Sequence, residues 1–496
     1  MYPAEVRATN VRGVRAPAFA IVVFVLGCGG RSSLGEFQEE RTSGGAASSA
    51  SGGRHAGGTV SLSAGGLTAM GGQSALGGQS AMGGRAATGG RTASGGIVGS
   101  AGAGGRSTPS TCDIDGVTYE SSALNPANPC ELCRPETSTG RWTPGSSGTC
   151  VEAISVGPMH ACAIRGGRVH CWGDNESGEL GDGTLVTRGS PAPVSGVPVR
   201  ASAVSAGGAH SCAIANGAVY CWGTNRFGQL GNGTTEPSMT SVLVSGLSAG
   251  VTSISVGLSF SCAVVEGAAV CWGTNQAGQL GNGSLVNSSV PIVVKGLEKD
   301  VSVISAGQEY ACALQRGVAY CWGKNSSGQL GNGTTTDSVV PVPVRALPLA
   351  SQIETGEVDT CALVNGAAWC WGGNWYGQID TNDQQTRTEP VHIARVSGMA
   401  SIAVGFEEVC AIESGGAMCW GNVITSVQAG NVLVGISAGP TRFGPDDGDI
   451  TAISMSGENG CMIQRGRASC WGFNHHGQLG NNSRVASATP VLVEFP

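Results

Sequence analysis

The chain has little charge. Asp, Glu, Lys and Arg make up 12% of its 496 residues, and the formal net charge is only −7. No basic run is present, so nothing supplies the phosphate neutralisation on which nucleic-acid binding rests, and nucleic acid is excluded as a partner. Aromatic residues are scarce, at 5%, which makes the positions of the Trp residues informative. The apolar run near the N-terminus, "APAFAIVVFVL", is too short to cross a bilayer, which takes about 20 residues. No regular His accompanies the cysteines, so a metal centre is not expected. No Ser or Cys has a His and an acid placed as a nucleophile's partners would be, so the chain does not read as an enzyme, and no cofactor is expected.

What is present in quantity is glycine and cysteine, 83 and 19 residues. The first segment, 1–27, reads as an export signal: Arg7, Arg12 and Arg15 precede the apolar run. The run ends in Val25-Leu26-Gly27-Cys28, which resembles a bacterial lipobox, in which the Cys becomes the lipidated first residue. Leu26 is bulkier than such motifs have there. No small-x-small cleavage site follows, which favours a lipoprotein over ordinary secretion. The expected location is the cell envelope, as an outer-membrane or cell-surface lipoprotein touching the membrane only through its lipid; secretion is the alternative. Residues 28–111 collapse to Gly, Ser and Ala ("GGQSALGGQSAMGG"). Such a stretch cannot bury enough apolar area to offset its ordering entropy and is expected to be a disordered tether, with a mean reach of about 50 Å.

Residues 112–150 hold Cys112, Cys130, Cys133 and Cys150. Four cysteines allow three pairings, and the sequence does not choose among them. The single C-x-x-C disfavours a zinc ribbon. Asp113-x-Asp115-Gly116 lacks the third acid and closing Glu of a calcium loop. A small disulfide-rich module is expected, loosely resembling short Cys-rich repeats of exported proteins.

The remaining fourteen cysteines fall in seven equally spaced pairs: Cys162 with Cys171, Cys212 with Cys221, Cys262 with Cys271, Cys312 with Cys321, Cys361 with Cys370, Cys410 with Cys419, and Cys461 with Cys470. At the midpoint of each pair stands some residue followed by Gly, as in Asn216-Gly217. That suits a two-residue hairpin turn of the primed type, whose second position needs positive φ. Counting outward, the two Cys fall opposite each other at a non-hydrogen-bonded pair, where Cα atoms approach to about 4.5 Å. Each bridge would close a short loop and add about 2–3 kcal/mol in the chain-entropy model. Buried free thiols or metal ligands are the alternatives; export favours disulfides.

A Trp-Gly step follows each pair, and these steps recur roughly every fifty residues, a period that signals a repeat architecture. Each unit reads as about four short strands punctuated by Gly: a strand such as "SISV", the Cys hairpin, a loop "GQLGNGT", and a strand such as "PVPV". Seven such units predict an all-β, seven-bladed β-propeller over 151–496, with the Trp residues as inter-blade packing. The wording "ISAGGAHSCAI…VYCWGTNRFGQLGNGT" resembles the repeats of the regulator of chromosome condensation family, which form seven-bladed propellers. Repeat five departs, with "WGGNWYGQID", and repeat six, "WGNVITSVQAG", has lost the Gly-Gln-Leu-Gly phrase. The resemblance would imply nucleotide exchange on a small GTPase and chromatin binding for some relatives. Those roles are not carried over, because an exported protein meets neither partner. Secreted β-lactamase-inhibiting propellers that resemble the same family offer a nearer analogy, a pure binding surface.

Topology places two loop sets on one face: the segment entering each Cys hairpin and the segment leaving it. Two residues before each first Cys stand His160, His210, Phe260, Tyr310, Asp359, Glu408 and Asn459, expected to form a ring; Glu357 and Glu407 add to its acidic arc. The second set contains Arg226, Phe227, Trp375, Tyr376, His475 and His476. Exposed Trp, Tyr and Arg dominate interfaces. The expectation is a monomeric scaffold that binds a protein or an extracellular glycan on this face, with the ring either contacting the partner or serving structure. A hydrolase using Asp359 and Glu408 is the enzymatic alternative; it would need a particular carboxylate separation.

Overall fold

The computed structural model describes residues 111–114, 117–120, 131–132, 143–144, 150–379, 383–394, 396–428, 432–444 and 448–496. The expected signal segment, Cys28 and the tether lie outside the described residues, as do Cys130 and Cys133. Of the small module, β1 (Thr111–Ile114) pairs antiparallel with β2 (Val117–Glu120), and β3 (Glu131–Leu132) with β4 (Thr143–Pro144). Cys112 and Cys150 are both disulfide-bonded and buried. Among the described residues no helix is long and apolar enough to cross a membrane.

The rest is a seven-bladed, all-β propeller. In blade one, β5 (Val151–Val156), β6 (His160–Arg165), β7 (Arg168–Gly173) and β8 (Arg188–Pro193) pair side by side in chain order. The same four-stranded meander recurs at 201–243, 251–293, 301–343, 352–392, 399–443 and 450–492.

The turns follow from the X-Gly pairs. Gly166 and Gly167 have φ of 58° and 69°, Asn216 and Gly217 53° and 77°, and Glu266 and Gly267 51° and 81°. Both central residues are left-handed, as the twist of a two-residue hairpin demands. The register then sets Cys162 directly against Cys171, and likewise in every blade. All seven disulfides are formed, with Cα atoms 4.0–4.1 Å apart. The outermost strands are open edges. Pro191, Pro193, Pro291, Pro341, Pro343, Pro390 and Pro490 lie on them, where a missing N–H blunts pairing with another chain.

The core lies between blades, and each contact joins two halves of the repeat phrase. Each blade's Trp is at most 1% exposed, and in six of the seven blades it donates its Nε1–H to the carbonyl of the Gln or Glu in the preceding blade's loop. Trp222 reaches Glu179 at 2.7 Å, Trp272 Gln229 at 2.8 Å and Trp322 Gln279 at 2.9 Å. The final Gly of each Gly-Gln-Leu-Gly phrase lies flat against the next blade's indole.

The ring closes by this same contact. Trp172 Nε1 donates to Gln478 O at 2.9 Å, and Val151 N to Gly466 O at 3.0 Å. Val151, Ala163 and Trp172 share one cluster with Ile463 and Leu479. No strand is exchanged between blades seven and one.

Around the axis runs a belt of serines. Ser155, Ser205, Ser255 and Ser305 each accept, through Oγ, a backbone N–H of the next blade at 2.9–3.0 Å, and Ser454 accepts from Val156 at 3.1 Å. Blades five and six put Glu354 and Ala403 at this position. Gln352 spans that gap instead, donating to Ile402 O at 3.1 Å and accepting from Ile402 N at 3.3 Å.

Candidate functional site: the loop face of blades five to seven

The two loop sets do share a face. Asp174 N donates to Met159 O and Thr224 N to Ala209 O, both at 2.9 Å, so each loop leaving a hairpin lies against the turn entering it. One Asn organises each outgoing loop. Asn225 Nδ2 donates to Thr234 O at 3.1 Å and Glu236 O at 2.9 Å, while its Oδ1 accepts from Leu230 N at 2.9 Å. Asn175, Asn275, Asn325 and Asn474 repeat this arrangement, and Asn374 makes the matching contacts with Asp383 O and Ile379 N. The residue after the Asn then points outward. Arg226, Trp375 and His475 are exposed, Trp375 by 46%; Phe227, Tyr376 and His476 are half-buried.

The ring is a correction. His160, His210, Phe260, Tyr310, Asp359, Glu408 and Asn459 are only 0–3% exposed, so none can contact a partner across the face. They fill blade interfaces. His160 Nε2 lies 2.8 Å from Ser211 Oγ, and Ser211 donates onward to Glu179 O at 3.3 Å; the imidazole is therefore the donor to the serine. His210 and Ser261 repeat the pair at 2.8 Å. Phe260 packs in the same cluster as Ala311, and Tyr310 donates to Asp359 O at 2.5 Å. Burial holds His160 neutral down to about pH 4 and His210 to about 3.

Blade six breaks the pattern. The organising Asn should stand three residues after Trp420, where Val423 stands instead. The loop is replaced by a long hairpin, Gly416–Gln428 against Val432–Phe443. Trp471 of blade seven thus loses its carbonyl acceptor, and its Nε1 lies beside the Glu408 carboxyl without completing a hydrogen bond.

Carboxylates gather at this break. Glu357, Glu407 and Glu458 occupy the entering turns of blades five, six and seven. Burial and mutual repulsion raise Glu357, and raise Glu458 to about 7. Burial lifts Glu408 to about 8 and Asp359 well above the carboxylate range. Neither oxygen of Asp359 has a partner, nor has Glu408 Oε1. Asn422 Nδ2 donates to Glu407 Oε2, and the Tyr376 ring meets Phe406 edge-on at 5.7 Å. Among the described residues no group of three or more His, Cys, Asp or Glu is placed to hold a metal ion. A central cavity of about 170 Å³ is lined by Ser255, Ser305, Glu354 and Glu357 among others; burial raises Glu354 to about 7.

Sequence reasoning passed over Glu354 and Glu458. Glu354 stands where other repeats have Ser. Glu458 occupies the same turn position as Glu407, two residues after the end of the inner strand's Gly or Ser.

The model of the regulator of chromosome condensation (RCC1) repeat matches residues 166–214, 216–264, 266–314, 316–363 and 465–496, and a second model of that repeat matches 201–229. No curated protein matches the sequence. Among solved structures, the chain is similar to yeast RCC1 (Prp20), solved bound to Kap60, at 19% identity and TM-score 0.57 over 70% of this chain and 85% of that one. A second structure of Prp20p, from Saccharomyces cerevisiae, matches at 20% identity and 0.57 over 70% and 88%. Human WBSCR16 matches at 19% and 0.57 over 66% and 95%. These likenesses concern the fold. The chain is thus a seven-bladed β-propeller that carries RCC1 repeats over five matched stretches.

Proposed function

We propose that this protein is a non-enzymatic binding scaffold of the cell envelope, holding a protein partner on the loop face over blades five to seven. One observation favours that place above the rest of the ring. The repeat matches stop at 363 and resume at 465, and in that interval the loop face acquires an exposed Trp375, the Tyr376–Phe406 pair, a protruding hairpin and clustered carboxylates. Elsewhere the outgoing loops repeat one conformation. A half-exposed indole is the kind of residue that anchors interfaces. Seven disulfides fit an oxidising compartment, and Cys28 is the proposed site of the lipid that tethers the propeller there. Burial of Asp359 and Glu408 speaks against the hydrolase reading, since a substrate needs both carboxyls at a cleft.

Crosslinking on intact cells tests this reading. Trp375→Ala is expected to lose most of the partners crosslinked by the wild type while the melting temperature stays within about 2 °C, as surface changes do. An unchanged set of partners removes the proposal. Loss restored by competing sugar, with no protein crosslinked, would replace a protein partner by a glycan.

A further inference from the structure

Where blade six meets blade seven on the loop face, a pocket of about 30 Å³ is lined by Glu407, Glu408, Asn422, Ile424, Leu433 and Glu458, with two glycines. Three glutamates are among the residues that line it. Glu408 is 3% exposed, and its Oε1 has no partner among the described residues. A buried acceptor left unmatched is costly. The groups acting on these carboxyls are Glu357, Tyr376, Trp471, Asn422 and one another; no Lys or Arg is among them. The pocket is a set of acceptors without a cation.

We propose that this pocket receives the ε-ammonium of a lysine presented by the protein partner, an assignment that rests on the scaffold reading above. An ammonium is a compact point charge with donors only, on a flexible stem that can enter a small pocket lined by acceptors, whereas a guanidinium needs a planar, forked arrangement of acceptors. Ile424 and Leu433 supply apolar wall for the methylene stem of a lysine whose head alone is polar. Phe406 and Tyr376 stack beside Glu407 at the edge of the cluster.

Burial, with the neighbouring carboxylates, keeps Glu408, at about 8, largely protonated at neutral pH and Glu458, at about 7, about half so. Glu407, Glu357 and Tyr376 face them and offer only negative charge or neutral hydroxyl. An entering ammonium takes the place of those protons, so lysine binding strengthens as pH rises.

Saturation-transfer NMR on the full chain tests the assignment with three capped tripeptides, Gly-Lys-Gly, Gly-acetyllysine-Gly and Gly-Arg-Gly, at about 0.15 M salt to suppress general attraction to an acidic protein. The lysyl peptide is expected to bind in the millimolar range, with affinity rising roughly tenfold between about pH 6.5 and 8.5. The acetylated peptide should show no saturable binding, and the arginyl peptide should be at least about fivefold weaker. Glu458→Gln should weaken the lysyl peptide about fivefold or more without lowering the melting temperature. Equal binding of lysyl and acetylated peptides, a flat pH profile, or an unaffected Glu458→Gln overturns the assignment. If no lysyl peptide binds while Trp375→Ala still removes crosslinked partners, the assignment falls and the scaffold reading stands.

Discussion

Replacing Gly231 with Ala is expected to destabilise the propeller by about 3–4 kcal/mol, whereas Gly246→Ala should cost about 1–2 kcal/mol. Both glycines have left-handed backbones, with φ of 67° and 76°, so both changes incur the same steric penalty on φ. They differ in surroundings. A Cβ on Gly231 would stand 2.7 Å from Trp272 Nε1 and 2.8 Å from both Trp272 Cδ1 and Val244 Cγ1; at Gly246 nothing lies within 4 Å. The difference isolates the flat stacking of loop on indole. Trp272 cannot retreat, because it is fully buried and its Nε1 is held by Gln229 O at 2.8 Å. Chemical denaturation of the two variants beside the wild type measures both effects. If Gly231→Ala unfolds no earlier than Gly246→Ala, the indole is not the rigid element that locks blade to blade. Gly181, Gly281 and Gly331 meet Trp222, Trp322 and Trp371 in the same way, so the same ordering should hold at those interfaces.

That contact explains why so much of the architecture was legible in the sequence. Each Trp-Gly and each Gly-Gln-Leu-Gly is half of one interface, and their fifty-residue recurrence states the number of blades. The X-Gly midpoints fixed the turn type, and the turn type fixed which strand positions oppose; the Cys pairing follows from that count alone. The ring residues misled for a reason of the same kind. His210 looks like a surface residue when its own repeat is read, because its partner, Ser261, belongs to the next one. The pairing was present in the sequence: His precedes a following repeat's Ser twice, Phe260 precedes Ala311, and Tyr310 precedes Thr360. Small residues there make room for large ring residues. The altered chemistry of blades five to seven was only partly readable. The lost phrase in repeat six announced a changed loop, but only the fold shows the hairpin that replaces it and sets Glu458 beside Glu407 and Glu408.

Stability is expected to fall by several kcal/mol between about pH 6.5 and 8, opposite to the behaviour of a protein whose carboxylates are paired. Glu408 stands at about 8 in the fold against 4.5 when unfolded, Glu354 at about 7, and Asp359 well above its ordinary value, each through burial. Below the unfolded value both states are protonated and nothing is lost. As pH rises past it the unfolded chain releases protons that the fold retains, and stability declines until the folded group also ionises. Each such acid contributes about 1.4 kcal/mol per pH unit inside its window. His160 and His210 act in the opposite sense. Burial lowers them to about 4 and 3, so stability is lost as pH falls below about 6.5 and the unfolded histidines take up protons. Between about 4.5 and 6.5 the two histidines offset only part of the effect of the acids, Glu458 included, so stability already declines there; above 6.5 the acids act alone and the slope steepens. Glu408→Gln keeps the shape of the side chain and removes its charge. It should be nearly neutral at about pH 5 and stabilise by about 4 kcal/mol at about pH 8, with a correspondingly flatter profile in denaturant melts. A profile that rises from pH 6.5 to 8, or one that Glu408→Gln merely shifts in parallel, would mean that the carboxyl at the blade six–seven interface is ionised and held by a counter-charge. The buried acid beside Trp471 would then be a paired anion, and the pocket next to it would already be filled.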